Sequence, residues 1–224
     1  MMIISIDGFS ATGKSTIAFM LAQKLNLKYL NSGSIYRCIA LKILDKQFNV
    51  SDKDIYDKII NMNIDFKIEN NIQRVYLDNV DVTDDIRKEE ISVFTPTFAN
   101  NPVIKSAIRE IQKKFVNNGN IVIEGRDIGT RIAPSAKYKF YLYCSLDERA
   151  RRVYNERVKK EKISYEEVYN DIDKRDKKDI IDGNFIKPSN AIEIDTTNSS
   201  REEILNKMLL YIKEKVKWKT KKLY

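Results

Sequence analysis

Residues 8–16 read Gly8-Phe9-Ser10-Ala11-Thr12-Gly13-Lys14-Ser15-Thr16, and no other string constrains the chain as much. The spacing is G-x-x-x-x-G-K-S, in which glycines let successive backbone N–H groups turn inward as a nest for anionic oxygens. Lys14 then brings a point charge to the outer phosphates, and the Ser15 hydroxyl is a ligand for Mg²⁺. The flanks agree with the motif. Met2-Ile3-Ile4-Ser5-Ile6 reads as a short buried strand, and Ile17, Met20, Leu21 and Leu25 recur at helical spacing. Strand, Gly-rich turn and helix together aim a helix N-terminus at phosphate. All nine residues are therefore expected to hold a nucleoside triphosphate.

Composition narrows the chemistry further. The chain contains no histidine, which excludes His-based triads, phosphohistidine carriers and His-ligated zinc. Phosphoryl transfer is unaffected, because it relies on positioning and charge neutralisation. The net charge of +8 suits anionic ligands such as nucleotides. The basic residues are spread along the chain, and the densest run, residues 213–222, reads as the end of a solvated helix. Cys38 and Cys144 are far apart in apolar segments, so they read as buried packing residues without a disulfide or zinc pattern. No segment has the length of a membrane span or the pattern of a signal peptide. The expectation is a cytoplasmic protein without a membrane or nucleic-acid partner.

Along the chain, helical spacing covers 15–26 and resumes after residues 31–34. Residues 51–60 predict a short helix capped by Ser51 or Asp52. Asp65-Phe66-Lys67-Ile68 and Arg74-Val75-Tyr76-Leu77 read as strands around a turn at Glu69-Asn70-Asn71, with a second turn at Asp78-Asn79 before residues 80–83. Helical spacing returns over 84–118 with a break at Asn100-Asn101-Pro102. Residues 120–123, 139–144 and 192–194 read as core strands. Ser145-x-x-Glu148, Ser164-x-x-Glu167 and Ser199-x-x-Glu202 read as capping boxes. The alternation predicts an α/β fold with a parallel, doubly wound sheet and a small inserted antiparallel sheet.

Three clusters point to an acceptor. Asn31 to Arg37 brings a hydroxyl, a phenol and a guanidinium together after a turn, and Arg37 either holds a phosphate bidentately or sits on a surface helix. Glu124-Gly125-Arg126-Asp127-Ile128-Gly129-Thr130 follows a strand at the sheet end where ligands bind. Arg126 suits phosphate there, and Asp127 or Glu124 could orient a Mg²⁺-bound water or a ribose hydroxyl. Arg149, Arg151, Arg152 and Arg157 crowd one helix, and Arg175 and Asp179 share a face of another. With a P-loop nearby, these helices read as a basic lid that closes over phosphates.

With these elements in this order, the chain resembles the bacterial-type cytidylate kinases, nucleoside monophosphate kinases of the P-loop class. The resemblance runs from Ile6-Asp7-Gly8 through Ser32-Gly33-Ser34-Ile35-Tyr36-Arg37, Asp81 to Arg87, Gly125 to Thr130, Glu148-Arg149-Ala150 and Arg175-Asp176-x-x-Asp179 to Glu193-Ile194-Asp195-Thr196-Thr197. It implies a single P-loop kinase domain over 1–224, a monophosphate-binding insertion over about 61–100 and a lid over about 146–183. It also implies phosphorylation of CMP or dCMP to CDP or dCDP by ATP with Mg²⁺, in a monomer. By carry-over, Ser32, Tyr36, Arg37, Lys105, Arg126, Asp127, Arg175 and Asp179 line the acceptor side. Lys14, Arg126, Asp127, Arg152 and Arg175 carry the transfer, with Arg152 a lid arginine facing the phosphates.

Four positions depart from the family pattern. Asn31 stands where the family has Asp, Pro96 where it has Ser, Lys105 where it has Arg, and Asp182 where it has a further Arg. Phosphoryl transfer is untouched by these changes, but base selectivity is exposed to them, since Lys cannot reproduce an Arg fork. Thr95, Thr97 or Lys187 could compensate. The competing acceptors are UMP, AMP, dTMP and shikimate. A GTPase reading lacks its Asn-Lys-x-Asp, and a nucleic-acid binder would rest on charge alone.

Overall fold

The computed structural model describes residues 1–159 and 161–221, with side chains in the last helix described as far as Glu214. Its centre is a five-stranded parallel sheet of β1 (Ile3–Asp7), β2 (Lys28–Asn31), β6 (Ile121–Gly125), β7 (Tyr138–Tyr143) and β8 (Ile192–Asp195). The spatial order is β2-β6-β1-β7-β8. Side-chain alternation explains why these short runs are apolar throughout. Ile121 and Ile123 of β6 enter one core and Val122 enters the other, each with 1% exposure or less. A sheet covered on both faces needs such runs. Truncating one of these isoleucines to Ala removes a fully buried side chain and costs about 2–5 kcal/mol.

One face is covered by α1 (Lys14–Leu25) and α8 (Arg201–Lys221), whose Ile17, Leu21, Ile204 and Met208 pack on Ile4, Ile6 and Phe140. The other face is covered by α2 (Ser32–Leu44) and α5 (Pro102–Asn117), through Ile35, Ile39, Ile104 and Ile108. Asn101 caps α5 by accepting from the N–H groups of Val103 and Ile104, and Pro102 occupies the first helical position, where no N–H is needed.

Between α3 (Ile55–Ile60) and α4 (Glu89–Phe98) lies a separate antiparallel sheet of β3 (Ile64–Glu69), β4 (Ile72–Leu77) and β5 (Val80–Asp81). Its turns are the two read from sequence. Asn70 and Asn71 have φ of +50° and +60°, and Asp78 and Asn79 have +51° and +68°. Paired left-handed residues give the turn whose twist matches a hairpin, and Asn and Asp tolerate that conformation best. Val75, Leu77, Val82 and Ile86 join this sheet to the α2–α5 core. On the opposite side of the molecule's sequence, α6 (Leu146–Arg157) and α7 (Tyr165–Ile181) pack on each other through Ala150, Val168 and Ile172.

Several boundaries differ from the sequence reading. The helix expected from residue 51 starts at Ile55, and neither Ser51 nor Asp52 caps it. Asp52 is occupied instead by the Asn49 N–H and by Lys58 Nζ, which fold the turn before the helix. The capping box expected at Ser199 and Glu202 lies one residue later: Ser200 N–H donates to Glu203 and Glu203 N–H donates to Ser200. At Ser145 only half the box forms, because the Glu148 carboxylate turns to Arg151 and Arg152. At Ser164 the whole box is present. Cys38 and Cys144 are free and buried, as expected. The basic run 213–222 lies on α8 as far as Lys221, while its side chains from 215 onward and residue 222 lie outside the described residues. No described helix is long and apolar enough to cross a membrane.

Candidate active site

Four of the five strands of the parallel sheet run at their carboxyl ends into motif residues. β1 runs into the Gly-rich loop, β2 into Ser32, β6 into Arg126 and β8 into Thr196. The carboxyl edge of an open parallel sheet is therefore the site. The loop closes tightly because Gly8 (φ +153°) passes β7 so closely that a Cβ would strike the Leu142 carbonyl. Lys14, buried at the N-terminus of α1, donates through Nζ to the Phe9 carbonyl within the loop. Burial lowers its pKa to about 8, against the opposing pull of Glu124; Arg126 adds to the depression.

Ser15 Oγ donates to Glu124 Oε1 at 2.8 Å, and Asn31 Nδ2 donates to Ser15 Oγ at 3.3 Å. A hydroxyl and a buried carboxylate beside a phosphate nest suit Mg²⁺, which takes one or two protein ligands and completes its shell with water and phosphate oxygens. The described residues hold no cluster of three or more acidic, Cys or His side chains that could hold a metal ion. Asn31 also caps α2 by accepting from Ser34 N–H at 3.2 Å.

Asp7, fully buried at the end of β1, accepts from the backbone N–H groups of Ile128 and Gly129 at 2.7 and 2.8 Å. This contact pins the turn over Ile128–Ile132, a single wide π-type turn. Gly129 is required there, since a Cβ would lie 2.8 Å from Ser5 Oγ and 3.0 Å from Asp7 Oδ2. Burial pushes the Asp7 carboxyl up to about 7 despite those two N–H donors.

The acceptor-side residues converge. Arg126 pairs with Asp179 of α7, bringing β6 and the second of the packed helices together. Arg175 is an exposed residue of the same helix. Its pKa is depressed by lost hydration and then by Arg126, with Arg37 adding to the effect. Arg37 is depressed by burial, and Arg87 adds to this. Lys14, Arg37, Arg126 and Arg175 thus form one crowded group of cations at the mouth of the phosphate loop. Tyr36 is held among Asp127, Arg109 and Arg126, and burial, then Asp127, raise its phenol to about 12. Ser32 is buried and accepts a hydrogen bond from Gln112 of α5.

Other candidates are engaged differently. Asp127 faces Arg131 at 3.2 Å and Arg109 at 3.8 Å. Arg152 donates to Glu148 and, at 2.6 Å, to the Thr196 carbonyl, so it ties α6 to the turn after β8. Lys105 Nζ donates to Asn184, and Lys187 pairs with Glu193 at 2.8 Å. The Thr95 and Thr97 hydroxyls donate to the carbonyls of Ile91 and Phe94. Asp182 accepts from Asn100 at 2.6 Å.

Two residues were missed in the sequence. Arg109 sits one helical turn from Lys105, a spacing that was available to be noticed. Arg149 belongs to the basic helix and to the Glu148-Arg149-Ala150 element, but its partners are not evident from either. It is 5% exposed, pairs with Asp176 at 2.5 Å and donates to the Cys144 and Ser10 carbonyls. Nothing in local sequence announces that link between α6, α7 and the phosphate loop.

A P-loop with its lysine, a hydroxyl–carboxylate pair and a facing group of arginines defines a phosphotransferase of the P-loop kinase class. Solved structures agree at the level of fold: a gluconokinase from Sinorhizobium meliloti aligns at TM-score 0.50 with 11% identity, covering 97% of each chain. The protein titled TT1252 from Thermus thermophilus aligns at TM-score 0.51 with 16% identity, covering 96% of this chain and 97% of its own. Sequence is more specific. The family profile described as cytidylate kinase matches residues 4–214. Cytidylate kinases of Fusobacterium nucleatum and Fervidobacterium nodosum are 38% and 39% identical, covering 91% and 96% of this chain and 94% and 98% of their own lengths. The chain belongs to the cytidylate kinase family and is a nucleoside monophosphate kinase that uses ATP.

Proposed function

We propose that the chain phosphorylates CMP and dCMP with ATP and Mg²⁺ by direct in-line transfer, as a cytoplasmic monomer without a nucleic-acid partner. The observation that carries the reading is the group of Lys14, Arg37, Arg126 and Arg175: burial, then Arg126 and Arg175, lower the pKa of Lys14, and burial, then Arg126 and Arg37, lower that of Arg175. Cations crowded at their own expense are relieved by a ligand of high negative charge, here two phosphate chains meeting end to end.

In this reading residues 8–16 hold the ATP phosphates, and Lys14 neutralises charge on the transferring group. Arg37, Arg126 and Arg175 hold the acceptor phosphate, with Asp179 orienting Arg126 through their ion pair. Ser32, Tyr36, Lys105 and Asp127 line the remainder of the acceptor cleft. Ser15 and Glu124 hold Mg²⁺, which supplies charge neutralisation on the phosphate oxygens when bound. Among the two carboxylates considered, Glu124 is favoured for that role by its contact with Ser15. Residues 61–100 act as the acceptor-binding insertion, and 146–183 as a lid that excludes water around the transferring group. Arg152 contributes to that lid by fixing α6 to the turn at Thr196.

The test is a coupled ADP-release assay over CMP, dCMP, UMP, AMP and dTMP. CMP and dCMP should be the best acceptors. A preference of about tenfold or more for any of the others, worth about 1.4 kcal/mol, overturns the assignment.

A further inference from the structure

Residues 182–188, which leave the end of α7, touch both halves of the site. At one end the segment is tied to the α4–α5 junction and α5. Asp182 accepts from Asn100 at 2.6 Å, Asn184 donates to Asn100 at 2.9 Å, and Lys105 donates to Asn184. Arg131 donates to the Gly183 carbonyl at 2.6 Å. At the other end the Phe185 ring stacks on Phe9, the second residue of the phosphate loop, with centroids 4.1 Å apart and planes 17° apart. Tyr141 of β7 lies against the same Phe185 ring at 5.8 Å. The Ile186 N–H donates to the Arg126 carbonyl at 3.4 Å. Phe9 is held in turn by the Arg149 guanidinium, 5.6 Å from its ring centroid, and Arg149 also donates to the Ser10 carbonyl.

We propose that residues 182–188 form a strap that couples the donor and acceptor sites, with Phe185 as its positioning residue. The proposal rests on the donor and acceptor sites assigned above. A monophosphate bound against Arg126 and Lys105 restrains the strap at Asn184 and Ile186. The restrained strap fixes the Phe185 ring, which fixes Phe9 and the loop backbone that must present its N–H groups to ATP. An offset stack contributes beyond its buried area, and ordering paid for by one ligand is not paid again by the next. Each nucleotide therefore binds more tightly in the presence of the other, and by linkage the factor is the same in both directions.

Calorimetry of CMP binding to the full chain, with and without a non-hydrolysable ATP analogue and Mg²⁺, reads this factor. The wild type should bind CMP on the order of tenfold more tightly when the analogue is present. Phe185→Ala should bring the factor close to one, with each nucleotide's separate affinity within about twofold of wild type, and Phe185→Leu should retain part of it. Asn184→Ala cuts the strap at its other end and should lower the factor as well, which keeps the test alive if one variant folds poorly. A factor near one in the wild type, or one undiminished in both Phe185→Ala and Asn184→Ala, overturns the strap. Failure of the wild type to bind CMP at all overturns the site assignment itself, and the strap with it.

Discussion

The Ser15 hydroxyl donates to Glu124 Oε1 at 2.8 Å, joining the first turn of α1 to the end of β6 across 109 positions of sequence. Glu124 is 5% exposed and Ser15 is exposed to the cleft, so a single buried carboxylate stands behind the hydroxyl assigned to Mg²⁺. Glu124→Ala should raise the Mg²⁺ concentration needed for half-maximal turnover and lower kcat by on the order of 10- to 100-fold, the usual cost of losing a supporting group at a metal site. A Mg²⁺ titration of turnover at saturating ATP measures both. An unchanged Mg²⁺ midpoint would place the metal elsewhere.

Lys14 is the charge on which phosphate neutralisation depends, and its pKa lies near 8. Above that pH the free protein loses the charge, whereas bound phosphate favours the ammonium form. ATP affinity should therefore fall as pH rises from about 8 toward the ordinary lysine value. Lys14→Met should show no such slope and should lose on the order of 100- to 1000-fold in turnover while remaining folded. Affinity for ATP measured across this pH range in both proteins checks the point; a flat wild-type profile contradicts it.

Arg37 and Arg126 belong to the acceptor side of the cation group, and Arg126 is held there by Asp179. Arg37→Ala and Arg126→Ala should each raise the KM for CMP and lower kcat, with a smaller change in the dissociation constant for ATP. Losing a charge-assisted contact to a phosphate is worth about 1.5–3 kcal/mol. Loss at the ATP site equal to the loss at the CMP site is the result that contradicts the placement.

The parts of this architecture that were legible in the sequence are those written in local chemistry. The loop at 8–16 carries its own spacing, the Asn70-Asn71 and Asp78-Asn79 turns carry their conformational preference, and the apolar runs of β1 and β6 carry their burial. What could not be read is contact between distant side chains. Arg149 reaching the Ser10 carbonyl and Asn100 meeting both Asp182 and Asn184 depend on where α4, α6 and α7 are set by the two cores. The error at the start of α3 has the same origin. Asp52 has the chemistry of a helix cap, but Lys58 and the Asn49 N–H compete for its carboxylate and win.

Asp7 makes stability depend on pH. Burial raises its folded-state pKa to about 7 from the ordinary 3.8, so the native state holds this proton more tightly than the unfolded chain does. The contribution is fully present below about pH 4 and is lost as pH rises through about 7. Asp7→Asn should flatten that slope: between about pH 5 and pH 8, urea unfolding of the variant should change less than that of the wild type, by a difference of a few kcal/mol at most. At low pH the two proteins should be similar in stability, because a protonated carboxyl, like an amide, presents one strong acceptor to the Ile128 and Gly129 N–H groups. Parallel pH profiles for the two proteins contradict the assignment of Asp7 as the titrating group.

Base choice is the property most exposed to the residues that depart from the family pattern. Cytosine presents adjacent acceptors at O2 and N3, whereas the N3 of uracil carries a proton. A planar guanidinium fork donates to both acceptors of the first and meets a donor in the second, while an ammonium has no such geometry. Here the position in question is Lys105, and its Nζ is engaged by Asn184. The Thr95 and Thr97 hydroxyls direct their protons into the α4 backbone, and Lys187 is paired with Glu193, so none of the three offers an evident replacement donor. A site with fewer directed bonds to the base leaves fewer polar groups unpaired when the wrong base enters, and discriminates less. UMP should therefore be a measurable, poorer substrate. Lys105→Arg should move the ratio of kcat/KM for CMP over UMP toward CMP by about 1 kcal/mol or more, roughly fivefold or above. A wild type that accepts CMP alone, with a ratio unmoved by Lys105→Arg, would show that another donor reads the base. Arg109, one turn along α5 and 3.8 Å from Asp127, is then the residue to replace next.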